Sequence, residues 1–401
     1  MTIINTILLI AACFERSSAP GPLEEEVVTR AGPTVVVVIA CTMRADRLHT
    51  YGNPLNTSPY IDSLANNGVK FTRTLTSAPW TRPGVAALMT GRFPLGIGVD
   101  SPTDKVNTNR GLHPDIDTMA ERFKRGGYTT IGAIANPNAN AIYNFDQGFD
   151  TYHEASGLWR EKFHKANGVD VVDAWLSVAA TIDGPLFGQL LVIDTHTPLD
   201  SLPERRQKLG LPSGKGTMIE RYDAAVTVLD DTIAHLDAGL KKIGRSNRLL
   251  VFIADHSEGL KHPEHAGAAH GRWLYEANLH IPWIMHGPGI AKGHTIGGLA
   301  TSVDLLPTLL TLAQLPLDGQ IDGRSHANAV RGHTNQTTHP FVYSETRFAN
   351  ENKARITTPE WSYIHNLQRG NTSFKRGKKE LYAGTDHGQY KNLAMQHPLV
   401  T

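Results

Sequence analysis

Two short segments of the chain carry side chains that could act on an anionic ester. Thr81 stands at the start of a predicted helix, because Pro83 suits a first turn and Gly91 can end the helix. Free N–H groups and the positive end of the helix dipole favour an anion at such a start. Asp255 and His256 follow an apolar run and offer a carboxylate and an imidazole. Thr81 could equally be a helix cap, so its neighbours must decide its role.

Histidine is abundant and is concentrated in one part of the chain. Nineteen histidines occur in 401 residues, and seven of them fall between positions 256 and 294. Imidazole acts as an acid, a base or a metal ligand near neutral pH, so this density indicates a metal or acid–base site. Surface exposure is the competing explanation for about half of these residues. His262, His265, His280 and His286 have no support beyond the density itself.

Strand-like runs precede the candidate site residues. Four apolar runs rich in β-branched residues occur, at positions 35–40, 129–135, 187–193 and 249–254. Continuous runs of this kind are typical of strands buried on both faces of a parallel sheet. The polar residues that follow these runs are Cys41, Arg44, His196, Asp255 and His256. Ligands gather beyond the carboxyl ends of such strands, so these side chains are predicted to lie close together.

Helix patterns alternate with the strand patterns. Residues 58–68 and 117–127 each combine a cap, an apolar stripe and a terminal glycine, and apolar residues recur at steps of three and four from 219 to 244. The alternation predicts an α/β fold, a three-layer sandwich with a mostly parallel central sheet. We predict that this domain covers residues 34–330. Short strand patterns in residues 331–401 predict a small C-terminal antiparallel subdomain.

The net charge limits the classes of partner that are expected, and the amino-terminal residues indicate the location of the protein. Lys and Arg total 39 against 38 for Asp and Glu, so neither nucleic-acid binding nor a polybasic membrane surface is expected. Residues 1–13 resemble a signal peptide that ends in a lipoprotein cleavage box, although a basic start is missing. Cys13 would then carry a lipid anchor, and residues 14–33 form a flexible linker. The expected location is exported, either periplasmic or at the outer surface.

The order of short motifs resembles that of the sulfatase family of the alkaline phosphatase superfamily. The resemblance extends over nearly all of residues 34–393. The matching segments are 43–47 (MRADR) with 51–52 (YG), 57–65, 79–83 (PWTRP), 88–91 (LMTG), 148–150 (GFD), 196–198 (HTP), 254–256 (ADH), 287–289 (GPG), 303–308 (VDLLPT) and 322–325 (DGRS). Any one of these segments is weak evidence, but their shared order is specific.

The resemblance implies roles for individual residues. Thr81 falls on the position of the nucleophile, and Asp255 and His256 fall on a pair of metal ligands. His196 lies where the family places a histidine at the leaving oxygen, and His270 is similar to a second site histidine. The family holds one divalent metal ion, Ca²⁺ or Mg²⁺, and hydrolyses sulfuric esters. The expected substrate is a small-molecule or glycan ester.

Two departures from the family pattern alter this expectation. Thr81 cannot become the formylglycine that the family makes from cysteine, so its hydroxyl would attack directly and form an ester that water must cleave. Such chemistry favours phosphate or phosphonate over sulfate. Cys41 replaces a metal-binding aspartate, which would suit Zn²⁺, unless Cys41 is only a buried hydrophobe. Val85 replaces a family arginine, and Arg44 or Arg82 is the candidate substitute, although a solvated surface position is expected for Arg82.

Two functions therefore remain open from the sequence. The first is a sulfatase-like hydrolase of sulfuric, phosphoric or phosphonic esters with Thr81 as nucleophile. The second is a non-catalytic sulfatase-like protein that binds a sulfated or phosphorylated glycan. Metal content distinguishes the two, because a site without a cation has too little positive charge for the chemistry.

Overall fold

The computed structural model describes residues 34–99, 111–154, 165–263, 267–368, 378–389, 391–394 and 396. The predicted signal peptide with Cys13 and the predicted linker lie outside the described residues, as does His265. Within the described ranges, no helix combines the length and the apolar character needed to cross a bilayer.

A nine-stranded sheet forms the centre of the described chain. Its strands are β1 (Thr34–Ala40), β2 (Val69–Leu75), β3 (Thr129–Ile134), β4 (Thr151–His153), β5 (Leu186–Val192), β6 (Arg248–Ile253), β7 (His280–Ile281), β8 (Trp283–His286) and β9 (His294–Thr301). The strand order is β4-β3-β5-β1-β6-β8-β2-β7, and β9 pairs with β2. Strands β4, β3, β5, β1 and β6 run parallel to one another, whereas β8 and β7 pair antiparallel with their neighbours. The predicted α/β class with a mostly parallel sheet is confirmed.

Helices connect the strands. The α-helices are α1 (Pro59–Asn66), α2 (Thr81–Thr90), α3 (Met119–Arg125), α4 (Gly168–Ala179), α5 (Pro203–Lys208), α6 (Met218–Lys242), α7 (Glu276–Leu279), α8 (Leu305–Leu312) and α9 (Ala327–Val330). Short 3-10 turns occupy Ala45–Arg47, His49–Tyr51, Pro94–Ile97, Pro137–Ala139, Ala141–Tyr143, Ser302–Asp304 and Phe348–Asn350. The long helix α6 begins with a reciprocal cap between Thr217 and Glu220, which satisfies backbone donors that its first turn leaves free.

A second, antiparallel sheet follows the central one in sequence. Its strands are β10 (Val342–Thr346), β11 (Asn352–Thr357), β12 (Trp361–Gln368) and β13 (Lys379–Ala383), paired in chain order. The predicted C-terminal antiparallel unit is therefore confirmed, and the domain boundary at residue 330 stays a prediction. The hydroxyl of Ser344 donates to the carbonyl of Thr76, and the N–H of Glu345 donates to that of Ser77. These bonds fix strand β10 against the segment that leads into Thr81.

The sequence explains why strand β1 occupies the centre of the sheet. All seven of its residues are buried, and five of them are valine or isoleucine. β-branched side chains pack well on both faces of a pleated sheet that is covered by helices. Strand β1 pairs with β5 on one side and β6 on the other, so the ends of these three strands lie side by side. Cys41, His196 and Asp255 follow these ends.

Candidate active site

Thr81 is the first residue of helix α2, and its hydroxyl contacts side chains from three other segments. The side-chain amide of Asn136 donates to Oγ1 at 3.0 Å, Nε2 of His256 lies at 3.3 Å and Sγ of Cys41 lies at 3.6 Å. Trp80 occupies the cap position, and Thr81 is only 2% exposed. The hydroxyl therefore points into a cluster of polar side chains and does not cap the helix.

Helix α2 comes close to the end of strand β6 because residue 84 is glycine. A Cβ atom at Gly84 would lie 2.6 Å from the carbonyl oxygen of Asp255. The hydroxyl of Thr76 donates to the same carbonyl at 2.6 Å. These contacts bring the start of helix α2 against the two residues that follow β6.

Asp255 and His256 are both fully buried. Oδ1 of Asp255 accepts the N–H groups of Thr42 (3.2 Å) and His256 (2.8 Å), whereas Oδ2 has no N–H or O–H partner among the described residues. Burial raises the pKa of Asp255 to about 6. A buried carboxylate oxygen without a donor is costly unless a ligand or a cation completes its bonding.

The contacts of His256 settle which ring nitrogen carries its proton. Nδ1 lies 2.9 Å from the carbonyl oxygen of Ser257, and a carbonyl can only accept, so Nδ1 carries the hydrogen. The Nε2 lone pair therefore faces Oγ1 of Thr81. Burial, together with the neighbouring His270, lowers the pKa of His256 well below its ordinary value. Nε2 is thus available either to accept the hydroxyl proton of Thr81 or to bind a metal ion.

Cys41 closes the group on the β1 side. Its Sγ atom accepts a hydrogen bond from the side-chain amide of Asn136 at 3.3 Å, and the residue is fully buried. Burial and the charge of Asp255 raise the pKa of the thiol well above its ordinary value. Without a cation, Cys41 is therefore a neutral thiol.

The donors of Cys41, Asp255 and His256 match a small tetrahedral cation. Their ligand atoms all lie within 4.8 Å of one another, and Nε2 of His256 is 3.4 Å from Oδ2 of Asp255. Tetrahedral bonds of about 2.1 Å place ligand atoms about 3.4 Å apart, and Oγ1 of Thr81 completes such a set. Sulfur and nitrogen ligands are typical of Zn²⁺, whereas Ca²⁺ and Mg²⁺ take six or more oxygens. The residues present fit Zn²⁺ better than the ions that the family resemblance implies.

Two further histidines lie beside this group. The rings of His256 and His270 are 4.5 Å apart, and those of His196 and His270 are 5.3 Å apart. Nδ1 of His270 contacts Oε2 of the fully buried Glu258 at 3.0 Å. Burial disfavours the charged imidazole, but the hydrogen bond and the charge of Glu258 outweigh it and raise the pKa of His270. The contact with Glu258 therefore stabilises the protonated form of His270 at this edge.

His196 differs from His270 in its electrostatic setting. Burial and the charge of His270 lower its pKa, and its Nδ1 lies 2.5 Å from the carbonyl oxygen of Thr197. The ammonium group of Lys165 donates to the carbonyls of Asp194 and His196, both at 2.7 Å, and so fixes the backbone at this strand end. The backbone of His196 is therefore held in place, and its imidazole is mostly neutral at pH 7.

The two candidate arginines take positions that the sequence did not indicate. Arg44 donates to the carbonyls of Glu258, Gly259 and His262, and it also pairs with Asp46 at 2.7 Å. Its contacts hold the loop that carries Glu258, and its catalytic role stays a prediction.

Arg82 is 7% exposed and lies 3.5 Å above the ring of Tyr143. The expected solvated position of Arg82 is wrong, because its guanidinium is buried in cation–π contact with Tyr143 and lies 5.7 Å from the ring of Trp80.

Sequence reasoning missed two residues of the site. Asn136 follows the predicted strand 129–135, and its side-chain amide contacts both Thr81 and Cys41. The N–H of Asn138 donates to Oδ1 of Asn136, which leaves the NH₂ group facing Thr81. Glu258 lies two positions after His256, and this spacing next to a strand end was the available signal.

Comparison with known proteins identifies the family of the chain. A family model described as Sulfatase matches residues 33–315, which is more than half of the chain. The chain belongs to the sulfatase family. The family is part of the alkaline phosphatase superfamily, and the resemblance drawn from the motif order is confirmed.

Individual sulfatase relatives are distant. The ulvan-active sulfatase of Formosa agariphila is 21% identical over 339 residues, covering 75% of this chain and 65% of that protein. An arylsulfatase of Hemicentrotus pulcherrimus is 25% identical over 347 residues, covering 73% and 61%. The chain thus spans less than two thirds of the length of these two relatives. The solved structure of a 2-O GAG sulfatase aligns with a TM-score of 0.72 at 21% identity, covering 91% of this chain and 88% of that one. The structural likeness supports the fold.

Proposed function

We propose that this sulfatase-family chain hydrolyses a sulfuric ester on a glycan, with Thr81 as the nucleophile. The observation that carries the proposal is the position of Oγ1, which lies at a helix start within hydrogen-bonding distance of Asn136 and His256. Two similar proteins are named for ulvan and for GAG, which supports a sulfated glycan as the substrate class. The substrate identity within this class is left to the experiment below.

The covalent step follows from the chemistry of a hydroxyl nucleophile. Oγ1 of Thr81 forms a bond to sulfur while the bond between sulfur and the ester oxygen breaks. Thr81 loses its proton and the leaving oxygen gains one, so the step is balanced. Water then cleaves the Thr81 ester, which releases sulfate and restores the hydroxyl. The amide of Asn136 donates to Oγ1 and keeps the oxygen aimed at the incoming group.

Cys41, Asp255 and His256 would hold one divalent metal ion, with Thr81 as the fourth ligand. When bound, the ion would withdraw charge from the attacking oxygen and neutralise the anionic ester. The unpartnered Oδ2 of Asp255 and the lone pair of His256 support this assignment. We propose Zn²⁺ because the donor set includes a thiol.

Two histidines would act on the substrate in different ways. His270, whose protonated form Glu258 stabilises, would face the substrate anion and stabilise the charge that develops on its oxygens. His196 contacts the leaving oxygen, as the resemblance implies. Because the pKa of His196 is lowered, its proton-donating form is favoured under acidic conditions.

One observation favours the non-catalytic alternative. Cys41 is buried at the end of the central strand, and its thiol is held neutral by burial and by Asp255. If Cys41 serves only to fill this space, the site lacks the cation that the chemistry needs. The protein would then recognise a sulfated or phosphorylated glycan without cleaving it.

The test combines metal analysis with turnover. The wild-type protein and the variants Cys41→Ala and Thr81→Ala are assayed on aryl sulfate, sulfated oligosaccharide, phosphate monoester, phosphate diester and phosphonate ester. We expect turnover of a sulfate ester that is lost in Thr81→Ala, and metal that is lost in Cys41→Ala. Turnover only of phosphorus esters would refute the sulfuric-ester substrate and leave Thr81 as the nucleophile of a phosphate or phosphonate hydrolase. Absence of Thr81-dependent turnover on all five substrates would refute the hydrolase and leave the binding protein.

A further inference from the structure

A second cluster of metal-type ligands lies apart from Thr81. Asp304 directly precedes helix α8, His326 directly precedes helix α9, and His339 precedes strand β10. Their ligand atoms all lie within 4.8 Å of one another. Nε2 of His326 is 3.0 Å from Oδ2 of Asp304, and Nε2 of His339 is 3.0 and 2.9 Å from its two carboxylate oxygens. Three separate segments therefore converge on one carboxylate.

The carboxylate of Asp304 is buried, and its side-chain partners are the two histidines. Asp304 is 0% exposed, and its other donors are the backbone N–H groups of Thr301 (2.9 Å) and Arg324 (2.8 Å). Among the described residues, no lysine or arginine side chain forms an ion pair with it. A buried charge needs either a counter-charge or a metal ion. The imidazoles of His326 and His339 contact this carboxylate and could either supply the counter-charge or bind a metal ion together with it.

The surroundings of the cluster exclude water from most sides. The rings of Phe71 and Trp283 pack against His326 at centroid distances of 5.6 and 6.0 Å. His326 is 4% exposed, whereas the side chain of His339 is 10% exposed. An apolar shell strengthens the attraction between a carboxylate and a cation. His339 leaves a narrow approach for an ion.

We propose that Asp304, His326 and His339 bind one divalent first-row transition-metal ion as a structural site, with Zn²⁺ as the probe ion. Two imidazoles and one carboxylate are a donor set that such ions accept. With metal–ligand bonds of about 2.05 Å, the O–N separations correspond to angles of about 90° at the metal. Angles of about 90° are those of an octahedral shell, in which these three side chains would supply part of the ligand set.

Metal binding would fix the tautomer of both imidazoles. The ion needs the lone pair of each Nε2 atom, so each ring keeps its single proton on Nδ1. The two backbone N–H groups on Asp304 would hold the carboxylate in place, as outer partners of metal ligands commonly do. The bound ion would then join the segments that carry the three ligands. This inference is independent of the chemistry proposed at Thr81.

The experiment removes the first candidate metal site and counts what remains. The double variant Cys41→Ala/Asp255→Asn is saturated with ZnCl₂, desalted and analysed by plasma mass spectrometry, with circular dichroism to confirm folding. We expect about one equivalent of zinc. His339→Ala in this background should lose that equivalent, whereas His333→Ala, an exposed histidine on the same segment, should keep it.

Two results would overturn the proposal. Zinc below a tenth of an equivalent in the folded double variant would show that the cluster is held by hydrogen bonds alone. Zinc retained in full by His339→Ala would place the ion elsewhere. Because zinc content and folding are measured without substrate, failure here is distinct from failure of the hydrolase proposal.

Discussion

Replacement of Gly84 by alanine tests the way in which helix α2 delivers Thr81. The added Cβ atom would lie 2.6 Å from the carbonyl oxygen of Asp255, whereas ordinary contacts begin at 3.4 Å. The helix and the end of β6 must therefore separate by about 0.8 Å, the difference between 3.4 and 2.6 Å. The neighbour is backbone, so it cannot rotate away as a side chain could.

The energetic consequence of Gly84→Ala can be bounded. Overpacking in a core costs about 1–3 kcal/mol. Alanine gains up to about 1 kcal/mol over glycine in a helix interior. We expect a net loss of about 1–2 kcal/mol in the free energy of unfolding. A shift of this size also moves Thr81 from His256, and misplacement of about 1 Å costs on the order of 100-fold in rate.

The assay compares Gly84→Ala with Gly96→Ala, whose added Cβ atom would meet nothing within 4 Å. Denaturant unfolding gives the free energy of unfolding. The catalytic effect is read from kcat/KM on whichever test ester the wild-type protein hydrolyses. Zinc content shows whether the ligand geometry has changed. The reasoning is refuted if Gly84→Ala matches Gly96→Ala in both stability and kcat/KM, because the predicted clash would then have no consequence.

Two further variants test the charges inside the chain. Glu258→Gln removes the charge that favours protonated His270, so we expect kcat/KM at neutral pH to fall by about 10-fold or more, since a hydrogen bond to a charged group contributes about 1.5–3 kcal/mol. The exposed control Glu204→Gln should change nothing, and equal rates for both variants would contradict the assigned role. Burial raises the pKa of Glu276, but Arg355 and then Arg73 outweigh it and lower the pKa to about 2. The folded-state pKa is thus depressed, so the stabilisation is present above the unfolded value of about 4.3 and is lost as the pH falls toward 2. Glu276→Gln should therefore destabilise at pH 7 by about 3 kcal/mol and much less at pH 3, measured by denaturant unfolding, and a loss that is independent of pH would sink this account.

The sequence located the central strands within one residue. The predicted strands 35–40, 187–193 and 249–254 correspond to Thr34–Ala40, Leu186–Val192 and Arg248–Ile253. A strand that is buried on both faces of a parallel sheet is a continuous apolar run, so its two ends can be located from the sequence alone. Strand β9 (His294–Thr301) was missed, because its glycine-rich, polar sequence becomes a strand only by pairing with β2.

Chain order and residue type together determined the family, the α/β class and the positions at which Thr81, Cys41, Asp255 and His256 stand. Each of these follows from local signals such as a strand end, a helix start or the order of short motifs. Only the tertiary structure decided that Asn136 contacts Thr81, that Glu258 contacts His270 and that Arg44 holds a loop. A hydrogen bond forms only when the donor–acceptor distance is right to within a few tenths of an ångström. The two partners can be a hundred or more residues apart in sequence, and no local pattern encodes that distance.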